Sequence, residues 1–226
     1  MGALRGPRDR APNLHERTAM LNKVRPALGR VLTPIGRSVA RTGISPNAIT
    51  VIGTVGVVVG ALGFFPRGSY FWGTMVITAF VLFDMLDGAV ARVTGRISKF
   101  GAFLDSTMDR VADAAVFGGL MIGLDRDGED VLAALALFCL VAGVVTSYAK
   151  ARAEGLGYTC NVGIAERSER LIIVLVPTGF HGLGVPYILA VGLWVLAVLS
   201  AVTVGQRLVA VWRQARDEVP APGGGS

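Results

Sequence analysis

Asp84-Met85-Leu86-Asp87-Gly88-Ala89-Val90-Ala91-Arg92, followed eight residues later by Gly101-Ala102-Phe103-Leu104-Asp105-Ser106-Thr107-Met108-Asp109, sets four aspartates inside two long apolar stretches. A carboxylate at membrane depth costs several kcal/mol unless it is paired, hydrated or bound to a cation, so four of them together need a chemical reason. Asp84 and Asp87 are three residues apart and share a helix face, and Asp105 and Asp109, four apart, share another. Gly88 and Gly101 lie on or beside those faces, where a small residue lets a backbone or a ligand approach closely. The short link between the stretches implies an antiparallel helical hairpin, and a rise of 1.5 Å per residue places Asp87, Asp105 and Asp109 at about 10–15 Å of depth, so that all four carboxylates can converge in one layer.

Such a layer repels itself unless cations neutralise it. All-oxygen ligation by Asp selects hard divalent ions, Mg²⁺ or Mn²⁺, and pairs of such ions commonly clamp phosphoryl groups. Two other readings use the same acids: a static network with Arg92, Arg96 and Arg110, or the relay of an ion-coupled transporter.

The surrounding composition is that of a polytopic helical membrane protein, with 52% hydrophobic and 17% charged residues. Windows able to cross roughly 30 Å of hydrocarbon fall near residues 47–65, 70–93, 100–124, 131–149, 171–184 and 186–211. The expectation is an all-α integral membrane protein with six transmembrane helices in one domain over residues 44–216. Lys150, Arg152, Arg167, Arg170 and both basic termini fall on one side, against only Arg67 and Arg126 on the other, so that side and both termini are expected in the cytoplasm. The same bias accounts for the net charge of +6 through anionic membrane lipids, and no nucleic-acid motif is present. Cys139 and Cys160 read as isolated thiols.

Residues 1–19 read as a flexible basic arm without a cleavable leader. In 20–43, Leu21, Val24, Leu28, Val31, Leu32, Ile35 and Val39 recur at helical spacing among Lys and Arg, which suits an amphipathic helix lying in the cytoplasmic interface. Ser45-Pro46-Asn47 looks like an N-cap with proline at the first helical position, and residues 217–226 have the composition of a flexible tail. Trp72, Trp194, Trp212, Tyr70 and Tyr187 near helix ends read as interface anchors, and His181 as an ordinary exposed histidine.

The spacing D-x-x-D-G-x-x-A-R, eight residues, then G-x-x-x-D-x-x-x-D resembles the signature of the CDP-alcohol phosphotransferase family, and every fixed position of it is present from Asp84 to Asp109. The resemblance implies an integral membrane enzyme that transfers a phosphatidyl-type group from a CDP-linked lipid to an alcohol and releases CMP. It implies Asp84, Asp87 and Asp105 as ligands of a divalent metal, Mg²⁺ or Mn²⁺, bound as two ions. Asp109 would reach the same metal and act as general base. Gly88, Ala91 and Arg92 would shape the nucleotide side, with Pro46, Asn47 and Thr50 lining the cytidine pocket. A homodimer is expected by the same analogy.

The family uses several acceptors. Here Ser147-Tyr148-Ala149-Lys150-Ala151-Arg152-Ala153-Glu154-Gly155 and Ile164-Ala165-Glu166-Arg167-Ser168-Glu169-Arg170-Leu171-Ile172 resemble the corresponding segments of actinobacterial phosphatidylinositol phosphate synthases. Lys150, Arg170 and Arg207 fall at the cytoplasmic ends of the fourth, fifth and sixth spans, and three cations around one entrance suit a phosphorylated acceptor. The resemblance gives them the phosphate of 1L-myo-inositol 1-phosphate, with Ser147 and Arg152 as further contacts and CDP-diacylglycerol as donor. The expected site faces the cytoplasm at the plasma membrane. The rivals are a phosphatidylglycerophosphate synthase using glycerol 3-phosphate and, from another class, the ion-coupled transporter. Asp113, one turn past Asp109, stays outside the metal set as a partner of the site or of Arg110.

Overall fold

The computed structural model describes residues 41, 43–95 and 97–218, so the expected arm, nearly all of the expected interfacial helix over 20–43 and most of the tail lie outside the described residues. Seven α-helices follow one another without a strand among those residues: α1 (Pro46–Phe64), α2 (Tyr70–Asp84), α3 (Leu86–Thr94), α4 (Lys99–Arg126), α5 (Asp130–Gly155), α6 (Arg167–Gly182) and α7 (Ile188–Glu218). Ser45 caps α1 as its sequence implies: the hydroxyl accepts the N–H of Ala48 at 3.2 Å, with Pro46 in the first turn. Ser98 does the same for α4, accepting from the N–H of Gly101 at 2.9 Å.

Four segments are long and apolar enough to cross a membrane: Pro46–Arg67, Tyr70–Arg92, Asp130–Gly155 and Ile188–Asp217. The other two expected spans exist as helices but differ in kind. The 28 residues of α4 carry Asp105, Asp109 and Arg110 in their first half and Asp113 at the start of their second, while the 16 residues of α6 extend only about 24 Å at 1.5 Å per residue and contain Pro177.

The second expected span is not one continuous helix. It breaks at Met85, between Asp84 and Asp87, and the break lets the two carboxylates take different partners.

Glycines set how closely the helices approach. On α1, Gly53, Gly56 and Gly60 form a seam against α2: a Cβ at Gly56 would fall inside the ring of Phe80, and one at Gly53 would lie 3.0 Å from the Cβ of Asp84. Gly119 and Gly123 bring α4 against the backbone of Ala61 and Phe65 in the same manner. The core between these elements is Val57, Ile77, Phe117, Leu120, Leu124 and Leu193, all essentially inaccessible, whereas Val55, Val59, Leu137 and Val191 point outward as befits a lipid-facing surface. Gly123→Ala is expected to destabilise the bundle by about 1–3 kcal/mol, because the new methyl meets a carbonyl that cannot turn away. Thermal unfolding of the detergent-solubilised protein checks it.

At the bundle end away from the aspartates, Tyr70 corrects the expectation of an interface anchor. It is 4% exposed, its hydroxyl donates to Asp127 at 2.6 Å, and its ring meets that of His181 at 5.1 Å, so it ties together three helix ends. Trp72, Trp194, Trp212 and Tyr187 are exposed, as anchors need to be. The link between α5 and α6 also differs from a free loop. Thr203 accepts the N–H groups of Ile164 and Ala165 at 3.3 and 3.1 Å, Gln214 accepts the N–H of Thr159 at 2.9 Å, and Cys160 is fully buried beneath it.

Candidate active site

The close approach of α1 to α2 at Gly53 and the crossing of α4 beside them deliver the carboxylates. Asp84, Asp105 and Asp109 each offer an oxygen within 4.8 Å of the others. Asp84 has a buried oxygen, Oδ1, with no hydrogen-bond partner among the described residues. Three convergent carboxylates with an orphaned, buried acceptor are a donor set for a hard divalent cation, so the residues present fit a divalent metal. Asp87 is beside this trio but engaged elsewhere: it accepts from the Thr50 hydroxyl at 2.6 Å and from the N–H of Gly88. The structure therefore gathers three of the four expected aspartates and holds the fourth against α1.

Two cavities flank the carboxylates. The smaller, about 170 Å³, is bounded by Pro46, Asn47 and Thr50 of α1, Asp87, Gly88 and Ala91 of α3, and Gly101, Ala102 and Asp105 at the start of α4. Five of the six residues expected at the nucleotide side line it. Arg92 does not; it is exposed on α3, its guanidinium 3.6 Å from where a Cβ of Gly88 would stand.

The larger cavity, about 380 Å³, has Asp109 in its wall together with Ser147, Lys150, Arg167, Arg170 and Arg207. Four of the five residues expected around the acceptor are thereby brought together. Arg152 stays on the exposed face of α5, outside the lining. Arg207 is only 6% exposed and already donates to the carbonyl of Val162, at 3.0 Å, and to that of Thr146, so it joins α7 to α5 and to the loop above. Lys150 is the freer cation, with only a 3.9 Å approach to Glu154.

Sequence reasoning missed Arg167. Its Nη1 lies 2.8 Å from Oδ1 of Asp109 and its Nε 3.4 Å from Oδ1 of Asp113. Asp113 does not bind Arg110, which instead donates to the carbonyl of Ser106 and approaches Asp109 at 3.8 Å; it holds Arg170, with Nη2 to Oδ2 at 2.9 Å. The available signal was spacing: Asp109 and Asp113 share one face of α4, and Arg167 and Arg170 share one face of α6.

Comparison with known proteins gives the family. The family model for CDP-alcohol phosphatidyltransferase matches residues 43–212. The chain is 50% identical over 208 residues to a phosphatidylinositol phosphate synthase of Streptomyces avermitilis, covering 88% of this chain and 85% of that one. It is 47% identical over 209 residues to the phosphatidylinositol phosphate synthase of Mycobacterium tuberculosis, covering 89% and 95%. A crystal structure of the Mycobacterium tuberculosis enzyme with CDP-DAG bound superposes with a TM-score of 0.77 at 47% identity, over 81% of this chain and 94% of that one. Another, in complex with manganese and citrate, gives 0.76 at 46% identity over 86% and 96%. The chain, a multi-pass helical membrane protein, therefore belongs to the CDP-alcohol phosphatidyltransferase family.

Proposed function

We propose that this protein is a phosphatidylinositol phosphate synthase, which transfers the phosphatidyl group of CDP-diacylglycerol to 1L-myo-inositol 1-phosphate and releases CMP. The observation that carries the reading is the position of Asp109, which belongs both to the carboxylate trio and to the wall of the cation-lined cavity. A donor held at the carboxylates and a phosphorylated acceptor held by cations would meet there. The names of the relatives favour inositol phosphate over glycerol 3-phosphate, and the family excludes the transporter reading.

Asp84, Asp105 and Asp109 would hold the divalent metal, Mg²⁺ or Mn²⁺, with Asp87 completing a site for a pair of ions; when bound, the metal supplies neutralisation of the diphosphate and of the departing CMP. Asp109 takes the proton of the acceptor hydroxyl as the new O–P bond forms and the bond to CMP breaks. Lys150, Arg170 and Arg207, with Ser147 beside them, orient the acceptor through its phosphate; a guanidinium fork suits that group. Gly88 and Ala91 admit the nucleotide against Pro46, Asn47 and Thr50, since larger side chains on that helix face would fill the smaller cavity.

The six helical rods, counting α2 and α3 as one, are read as six spans, with 44–216 as the membrane domain, 20–43 as an interfacial helix, the active site and both termini on the cytoplasmic side of the plasma membrane, and a homodimer as the assembly. The excess of Lys and Arg at the aspartate end supports that orientation. Since Cys160 is buried, a cysteine placed at exposed Asn161 is the useful probe. An impermeant thiol reagent is expected to label N161C only in opened or inverted membranes and E129C from outside; the reverse pattern overturns the orientation.

The purified enzyme is tested with CDP-diacylglycerol and a panel of acceptors. Inositol 1-phosphate is expected to give a phosphorylated inositol lipid and CMP, with little product from glycerol 3-phosphate, serine or free inositol. Preference for glycerol 3-phosphate rejects the proposal for its rival, and preference for free inositol shows that the cationic cavity is not a phosphate site.

A further inference from the structure

We infer that Asp113 is a positioning residue for the acceptor, holding Arg170 and Arg167 in the two orientations that the larger cavity requires while itself standing behind its wall. The inference rests on the acceptor reading above.

Asp113 is 5% exposed, one helical turn beyond Asp109, and does not line the cavity. A carboxylate so deeply placed needs partners, and it has two from α6. Oδ2 accepts from Nη2 of Arg170 at 2.9 Å, and Oδ1 faces Nε of Arg167 at 3.4 Å. A guanidinium carries five N–H donors in a rigid fork, so fixing one edge fixes the direction of the rest. For Arg167 the remaining edge reaches Asp109, through Nη1 at 2.8 Å.

For Arg170, Nε is buried and has no hydrogen-bond partner among the described residues, and the whole residue is only 3% exposed. A buried, charged donor left without a partner is costly, and Arg170 shares the wall of the larger cavity with Lys150 and Arg207, where an anion met by a small shift of the guanidinium would supply the missing partner. Gly143 of α5 completes the arrangement. A Cβ there would lie 3.3 Å from Nε and 3.4 Å from Cζ of Arg170, so the absence of a side chain leaves room for the guanidinium where Asp113 holds it. One buried carboxylate thus sets both the cation that meets the acceptor phosphate and the cation that meets Asp109, and it links acceptor binding to the reacting centre without touching substrate.

The test compares wild type, D113N and G143A as purified full-length proteins, with separate KM values for inositol 1-phosphate and CDP-diacylglycerol and a thermal melt of each. D113N keeps the shape of the side chain and removes its charge, and G143A alters no charge and presses on the Arg170 fork. Both are expected to raise the KM for inositol 1-phosphate about tenfold, the loss of one charged hydrogen bond, with the KM for CDP-diacylglycerol changed less than about twofold. An unchanged acceptor KM in either folded variant, or equal changes in both KM values, overturns the inference. Should D113N fail to fold, D113E, which keeps the charge but displaces the carboxylate by one methylene, takes its place under the same criteria. If wild type prefers glycerol 3-phosphate, the acceptor's identity falls while the same two comparisons, made with that acceptor, still decide the role of Asp113. Exclusive use of an unphosphorylated acceptor overturns both.

Discussion

Asp109→Asn is expected to lower turnover by at least about 10²-fold, the usual contribution of a positioned general base, in a protein that still folds and still binds CDP-diacylglycerol. The change removes the proton acceptor and keeps the shape. Packing around it should survive, because Arg167, which loses its 2.8 Å ion pair with Oδ1 of Asp109, retains Asp113 at 3.4 Å. The smaller cavity should survive too, since Asp109 is not in its wall. CMP release under saturating substrates, set beside a thermal shift with CDP-diacylglycerol, separates the two effects. Turnover within about threefold of wild type, far below what a lost base removes, would sink the assignment of Asp109 as base.

Much of this site could be read from spacing. The separation of three or four residues between aspartates placed Asp105 and Asp109 on one helix face, and the structure puts both beside Asp84. Ser45-Pro46 announced the start of α1, and that start carries three residues of the smaller cavity. What spacing could not show is choice between partners. Asp84 and Asp87 have the same side chain and adjacent turns, yet a helix break at Met85 and the hydroxyl of Thr50, 37 residues away in sequence, draw Asp87 to α1. The pairing of Asp113 with Arg170 rather than neighbouring Arg110 is of the same kind, a contact across 57 residues of chain. Periodicity reports which face a residue occupies; the identity of the opposing face comes from tertiary packing. The same limit explains Tyr70, whose position at a helix end fitted an anchor until Asp127 and His181 closed over it.

Arg170→Ala is expected to raise the KM for inositol 1-phosphate by about 10- to 150-fold, the equivalent of about 1.5–3 kcal/mol for a lost charged hydrogen bond, with the CDP-diacylglycerol parameters moving much less. Two consequences of the truncation must be separated. It removes a cation from the cavity wall, and it strips Asp113 of its 2.9 Å partner, leaving a buried carboxylate with Arg167 alone. The second effect falls on stability and is of the order of 3–5 kcal/mol where a buried pair is broken, so the melt of Arg170→Ala should drop while its substrate selectivity shifts. Arg170→Lys distinguishes them. Lysine keeps the positive charge opposite Asp113 but cannot present one edge to a carboxylate and another to a phosphate, because an ammonium is a point charge without the planar fork. Its melt should therefore lie nearer wild type than that of the alanine variant, while its KM for the acceptor remains raised. A lysine variant with wild-type acceptor KM would show that the cavity needs only charge at this position, and that the fixed orientation of the Arg170 guanidinium, held by Asp113 and packed beside Gly143, has no part in recognising the acceptor.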